Sequence, residues 1–317
     1  MYFKNIKDLS DDIDAWIPRL PAGIECVVGI PRSGILPAAI LSLRMNLPLA
    51  DLGGFLDGRL VGAGRRLSHA VGDDFLTVKR KVLVLDDCIS SGQSMRAVKE
   101  KVDAARLPHA TLYASVYGTP MTPRDLCFWY SDVPKPRAFE WNVLHRDEIG
   151  NYCFDLDGVL CVDPSKEEND DGDHYASFIE NAKPLFIPKS KVGFIVTSRL
   201  ERYRESTEAW LRRNGVEYGD LIMLDLPSKE DRVRQGAAVP FKATAYRESG
   251  ADLFVESDIR QAEGIASLSR KYVYSVDRRI MVSPGGFAGR IEREGRALKK
   301  RIRWKFRFLK KFRRSGD

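Results

Sequence analysis

No apolar run in this 317-residue sequence approaches the roughly 20 residues that a membrane-spanning helix needs. The first residues, MYFKNIKDLSDD, lack the apolar core of a signal peptide. The five cysteines (Cys26, Cys88, Cys127, Cys153 and Cys161) show no paired metal spacing, which argues against a structural zinc site. Four of them sit in or beside apolar strand-like runs, as buried reduced thiols of a cytoplasmic protein would. No internal repeat is evident. With 44% hydrophobic and 30% charged residues the composition is that of a soluble globular protein, and the length favours two domains over one.

Charge is unevenly spread. Residues 290–317 hold 13 Lys+Arg against 3 Asp+Glu, a surplus of ten, whereas the whole chain carries +7. The body before residue 290 therefore carries −3, and any partner implied by positive charge belongs to the tail alone.

Two alternations of strands and helices fill the body. In the first half ECVVGI, KVLVLDD and TLYASVYG are short β-branched apolar runs, separated by helix-like LPAAILSLRM and SMRAVKEKVDAA. SDVPKPRAFEWN brings two prolines and no clear period, as a linker would. A second alternation runs through YCFDLDGVL, VGFIVTSR, LIMLDL, DLFVESD and YVYSVD. The pattern predicts an α/β protein with two domains, each a mainly parallel sheet flanked by helices. The expected division is 1–132, a linker at 133–149, a second domain at 150–280, and a basic tail at 281–317.

Within the first half, VLVLDDCISSGQSM places Asp86 and Asp87 at the end of a buried strand, before a loop of small residues. Ligands bind at the carboxyl ends of strands in open α/β sheets, and such a loop can close its N–H groups on a phosphate. A sugar phosphate would satisfy both parts, with hydroxyls for the acids and a phosphoryl group for the loop. The stretch resembles the phosphoribosyl pyrophosphate (PRPP) signature of type I phosphoribosyltransferases. That resemblance implies that Asp86 and Asp87 hold the ribose 2- and 3-hydroxyls, and that Ser90, Ser91, Gly92, Gln93 and Ser94 hold the 5-phosphate. Upstream, VVGIPRSGILPA resembles the family's pyrophosphate loop, which implies that role for Arg32, Ser33 and Gly34. The Gly-rich GGFLDGRLVGAGRRLSH, with Arg59, Arg65 and Arg66, occupies the place of the family's flexible loop; a plain surface hairpin is the alternative. Ser90 departs from many purine-salvage members, which carry an acid there. Serine cannot serve as a base near neutral pH.

FDLDGVL is again an apolar strand ending in two acids, now one residue apart. With this spacing one aspartate can attack phosphorus while the other protonates the leaving oxygen and later activates water. The segment resembles motif one of the haloacid dehalogenase (HAD) superfamily phosphatases. That implies Asp155 as nucleophile, Asp157 as acid/base, Thr197 (or its neighbour Ser198) as a phosphate-contacting hydroxyl, and Lys242 as the cation at the phosphoaspartate. Lys229 competes with Lys242. Mg²⁺ is the implied cofactor, with Asp155, Asp157, Glu256 and Asp258 as its acids. The short segment between Asp157 and Thr197 leaves little room for a large cap domain, so an open site for a bulky substrate is expected. Its His174 has no second histidine nearby and reads as a surface residue.

Together the two resemblances are similar to the phosphoribosyltransferase–phosphatase modules of bacterial polysaccharide assembly, which install ribofuranose from PRPP. They imply a glycan or lipid-linked glycan acceptor. The alternatives are nucleobase phosphoribosyl transfer with nucleotide dephosphorylation, and a PRPP-sensing nucleic-acid-binding regulator. In the tail, Leu298, Ile302, Phe306, Leu309 and Phe312 fall on one face of a helical wheel, with Lys299, Lys300, Arg303, Arg307, Lys310 and Arg314 opposite. This suits an anionic membrane interface and a peripheral location on the inner face of a membrane. A solvated or core-docked helix and a nucleic-acid tail are the alternatives.

Overall fold

The computed structural model describes residues 1–61 and 77–285. Arg65, Arg66 and residues 286–317 of the basic tail lie outside the described residues. The chain divides into two compact units, Met1–Val143 and Leu144–Asp317.

In the first unit the chain runs β1 (Tyr2–Lys4), α1 (Ile6–Trp16), β2 (Cys26–Gly29), α2 (Ile35–Met45), β3 (Leu49–Asp51) and α3 (Leu52–Leu56). It continues through β4 (Lys81–Cys88), α4 (Gln93–Ala105), β5 (Ala110–Gly118), β6 (Phe128–Asp132) and β7 (Arg137–Phe139). The main sheet has the order β3-β2-β4-β5-β6 and every pairing in it is parallel. β4 is central and buried on both faces, which explains a continuous apolar run in place of alternation. Val82 and Val84 pack with Met95, Val98 and Val102 of α4. Leu83 and Leu85 point the other way, into Leu9 and Ile13 of α1 and Leu41 of α2. α1 starts at a capping box in which Asn5 and Asp8 satisfy each other's backbone N–H groups. The stretch expected to be a linker is partly ordered sheet: β7 pairs in parallel with β1, Arg137 opposite Tyr2. Two prolines hide a three-residue strand whose partner lies at the opposite end of the unit.

The second unit contains β8 (Tyr152–Phe154), α5 (Asp173–Asn181), β9 (Val192–Leu200), α6 (Arg204–Arg213), β10 (Tyr218–Leu224) and α7 (Lys229–Arg234). α8 (Ala238–Glu248), β11 (Leu253–Glu256), α9 (Ile259–Ser269), β12 (Val273–Ser275) and β13 (Ile280–Val282) complete it. Its sheet has the order β10-β9-β8-β11-β12-β13, parallel except for the last strand. β8 and β11 are interior neighbours, so the residues that follow them meet at one edge of the sheet. The chain is thus α/β, with two mainly parallel sheets flanked by helices. No helix among the described residues is long and apolar enough to cross a membrane.

Candidate active sites

In the first unit β4 carries Asp86 and Asp87 to its carboxyl end, and Ser90, Ser91 and Gly92 form the turn into α4, which opens with Gln93 and Ser94. Arg32 and Ser33 lie in the turn after β2, and Arg32 is exposed. Gly34 has a steric reason to be glycine: a Cβ there would sit 2.6 Å from the Ile30 carbonyl oxygen and 2.7 Å from that of Leu85. Its backbone therefore lies directly on the end of β4, which brings the two loops together. Asp87 is buried and its oxygens are taken separately. Ser33 Oγ donates to Oδ1 at 2.9 Å, and Trp141 Nε1 donates to Oδ2 at 2.6 Å. Asp86 accepts the Asp87 backbone N–H at 2.9 Å. Burial, and then the neighbouring Asp87 charge, push the Asp86 carboxyl up to about 8. A carboxyl in that state can exchange its proton for hydroxyl donors from a ligand.

Two further residues reach this end of the sheet from beyond β6. The buried Arg137 donates to the carbonyls of Val133 at 2.8 Å and Ile89 at 3.3 Å. Ile89 is two residues past Asp87, so Arg137 of β7 braces the loop while Trp141, two residues beyond β7, holds the acid. Neither Arg137 nor Trp141 stood out in the sequence, because the stretch around them reads as linker. A tryptophan among charged residues was the available signal.

In the second unit Asp155 follows β8 directly and is buried, with Oδ1 accepting the Leu156 N–H at 2.9 Å. Lys242, from α8, donates to Asp155 Oδ2 at 2.7 Å, to Glu256 Oε2 at 2.8 Å and to Gln261 Oε1 at 3.1 Å. One ammonium thus serves two buried carboxylates. Burial and the Glu256 charge push Asp155 well above the usual carboxylate range, against the pull of Lys242. Burial opposes the Lys242 charge, but Asp155 and Glu256 outweigh it and hold the ammonium above its ordinary value. Lys229, the competing lysine, is engaged with the Asn169 backbone carbonyl instead.

Asp157 faces a different cation. Arg199, fully buried at the end of β9, brings Nη2 to 2.6 Å from Asp157 Oδ1 and Nε to 3.2 Å from both oxygens. Arg199 also contacts Thr207 Oγ1 and Cys161 Sγ at 3.4 Å. Sequence reasoning passed over Arg199 in favour of its neighbours Thr197 and Ser198. Its signal was a charge inside an apolar strand, which demands a partner. Thr197 is buried, and its Oγ1 accepts the Arg199 N–H at 3.2 Å. Gly158 occupies φ +75°, and a Cβ there would meet the Ser257 side chain at 2.5 Å, so the turn after Asp157 needs glycine.

A cavity of 260 Å³ is lined by Asp155, Asp157, Asp163, Ser198, Arg232 and Lys242, among others. Asp163 is an acid the sequence reading missed; burial, Asp157 and Glu256 raise its carboxyl above the usual range. Of the four acids expected to hold metal, Asp155 and Asp157 line this cavity and Glu256 shares Lys242 with Asp155. Asp258 caps α9, its Oδ1 accepting the Gln261 N–H at 2.8 Å. Among the described residues no group of three or more His, Cys, Asp or Glu is arranged to hold a metal ion. The donor chemistry nonetheless suits Mg²⁺: Asp155, Asp157, Asp163 and Glu256 outnumber Lys242 and Arg199, and carboxylate oxygen is what a hard cation takes. His174 is surface-exposed and pairs with Asp170 at 3.2 Å.

Residues 2–119 match the family model described as phosphoribosyl transferase domain. No match was found among the curated proteins. Among solved structures the chain is similar to a purine phosphoribosyltransferase from Pyrococcus horikoshii, 18% identical with TM-score 0.33, over 44% of this chain and 92% of that one. It is also similar to the xanthine-guanine-hypoxanthine phosphoribosyltransferase of Helicobacter pylori, 18% identical with TM-score 0.34, over 45% and 92% of the two chains. A third is UMP synthase from Leishmania donovani, 16% identical with TM-score 0.27, over 37% and 23%. The family match covers the strands and loops that present Arg32 to Gly34 and Asp86 to Ser94, and the N-terminal unit therefore carries a phosphoribosyltransferase domain.

Proposed function

We propose that the chain is a bifunctional enzyme: its first unit transfers 5-phosphoribosyl from PRPP to an acceptor, and its second removes the 5-phosphate as a HAD-type phosphatase. The observation that carries the second half is the buried Asp155–Lys242–Glu256 cluster beside Asp157, at the carboxyl edge of a parallel sheet. The sheet order, with the nucleophile's strand β8 inside and the strand ending in Glu256 next to it, agrees with that reading.

In the first reaction Asp86 and Asp87 hold the ribose diol, the Ser90–Ser94 turn holds the 5-phosphate, and Arg32, Ser33 and Gly34 hold the pyrophosphate. A bond forms from the acceptor oxygen to C1 as the C1–oxygen bond to pyrophosphate breaks, and the acceptor's hydroxyl proton passes to the departing pyrophosphate or to water. Preorganised charges and N–H dipoles stabilise the positive carbon and the departing pyrophosphate. In the second, Asp155 attacks phosphorus as the bond to the ribose 5-oxygen breaks and that oxygen takes a proton from Asp157; Asp157 then draws a proton from the water that attacks phosphorus, breaking the bond to Asp155 and releasing inorganic phosphate. Arg199 fixes the orientation of Asp157 through contacts to both of its oxygens, and Lys242 offsets negative charge at Asp155. Mg²⁺, when bound, supplies charge neutralisation between carboxylates and phosphate, and Asp155 and Asp163 are the cavity-facing acids that would hold it.

The pairing of activities points to a glycan hydroxyl as acceptor. Dephosphorylating a nucleotide product would undo salvage, whereas dephosphorylating a phosphoribosyl glycan completes a ribofuranosyl residue. Ser90, uncharged where many purine-salvage enzymes carry an acid, favours the same side. The basic tail would bring such an enzyme to lipid-linked acceptors at an anionic membrane surface. PRPP consumption assayed with purines, orotate and glycan acceptors side by side tests this. Glycan-dependent consumption supports it, base-dependent consumption transfers the chain to nucleotide metabolism, and PRPP binding without consumption marks a sensor.

A further inference from the structure

We propose that Trp141 is a positioning residue for the phosphoribosyl donor: its indole N–H holds the Asp87 carboxylate in the orientation that receives the ribose hydroxyls of PRPP. The inference rests on the reading of Asp86 and Asp87 as the diol ligands. Trp141 lies beyond residue 119, where the family match ends, so it belongs to a part of the unit that the match does not describe.

The geometry is that of a clamp. Asp87 is only 4% exposed, and its two oxygens are bound from opposite sides, Oδ1 by Ser33 of the loop after β2 and Oδ2 by Trp141. Two donors on different oxygens fix the plane of a carboxylate, whereas one would leave it free to turn. Turning would also disturb the hydrogen bond between the Asp86 and Asp87 side chains, which is made with the indole in place.

Trp141 is itself held. Its ring stacks on Phe139 with centroids 4.9 Å apart and on Tyr117 at 6.3 Å, and Phe139 and Tyr117 stack at 5.4 Å. Tyr117 donates its hydroxyl to Asp12 at 2.8 Å, and Lys4 of β1 reaches the same oxygen at 2.6 Å. Phe139 lies on β7, which is paired to β1. The indole is thus presented to Asp87 by an aromatic stack braced at the unit's N-terminal strand. This arrangement fits a group that must not move when substrate arrives.

The test measures PRPP binding to the full chain by calorimetry across pH 6 to 9.5. The variants are Trp141→Phe, a 3-benzothienylalanine replacement at 141 and Asp87→Asn. Benzothienylalanine keeps the indole's shape and stacking and replaces only the N–H with sulfur. Both 141 variants are expected to weaken PRPP binding about tenfold, the scale of one hydrogen bond to a charged group. Both should also move the pH midpoint of binding upward, because the Asp87 charge, less offset without the indole donor, raises Asp86 further; a packing role would move neither quantity in the isostere. Wild-type affinity and midpoint in the benzothienylalanine protein, with Asp87→Asn weakened, would overturn the role of Trp141. Wild-type affinity in Asp87→Asn would overturn the diol reading and this inference with it.

Discussion

Lys242→Met removes the one ammonium that Asp155 and Glu256 share, at 2.7 and 2.8 Å, while keeping the side chain's apolar bulk. Lys242 and Glu256 are at most 1% exposed, so water cannot take over the lost contacts. Breaking a buried ion pair by deleting one partner costs about 3–5 kcal/mol, because the remaining charge stays buried and unmatched. Here two carboxyls remain, and Asp155, already raised by burial and the Glu256 charge, loses the opposing pull of Lys242 and holds its proton more strongly. That raises its folded-state pKa further above the unfolded value, so the stabilising proton is fully held at low pH and lost as pH rises through the raised value. The variant's deficit should therefore grow from pH 5 to pH 8. Hydrogen exchange on peptides spanning β8 and β11 reads the stability of these strands directly. At pH 8 protection should fall by a factor of roughly a hundred or more. Adding Glu256→Gln should restore most of it, since one carboxylate then remains where two repelled. Protection within threefold of wild type at pH 8, or no recovery in the double variant, would refute the shared-ammonium account.

Two other outcomes follow from the same structure. Because burial and Asp87 raise Asp86 to about 8 in the folded chain, the folded state holds a proton that the unfolded state gives up near pH 4. Stability of the first unit should therefore decline as pH rises towards 8, and urea unfolding of Asp86→Asn should lack that slope. The tail's 13 basic residues should make the full chain float with anionic liposomes at low salt. A chain ending at Gly289 should not; equal flotation of the two would remove the tail from membrane binding.

The parts of the fold that were legible are those whose periodicity is local. Val82 to Leu85 form a continuous apolar run because β4 is covered on both faces, and both acid-bearing strand ends followed from such runs. Tertiary pairing across long separations was not legible. Arg199 and Asp157 are 42 residues apart, and no spacing rule links a strand-end arginine to that aspartate. Asp163 sits in an acid-rich stretch where only placement distinguishes it from solvated neighbours. Lys229 and Lys242 both follow the third strand of their unit, and burial against Asp155 is what separates them. The strand inside 133–149 was hidden for a related reason. β7 is three residues long, too short for a period, and it is strand only because β1 lies beside it.

The central claim is that one chain transfers a phosphoribosyl group and then strips its phosphate. Mass spectrometry of the product formed from PRPP and an acceptor, by wild type, Asp155→Asn and Asp87→Asn, tests it most directly. Wild type should yield the ribosylated acceptor, Asp155→Asn the same acceptor heavier by one phosphate, and Asp87→Asn no product. Unphosphorylated product from Asp155→Asn would contradict the account, because the phosphate would then be leaving without the nucleophile assigned to remove it.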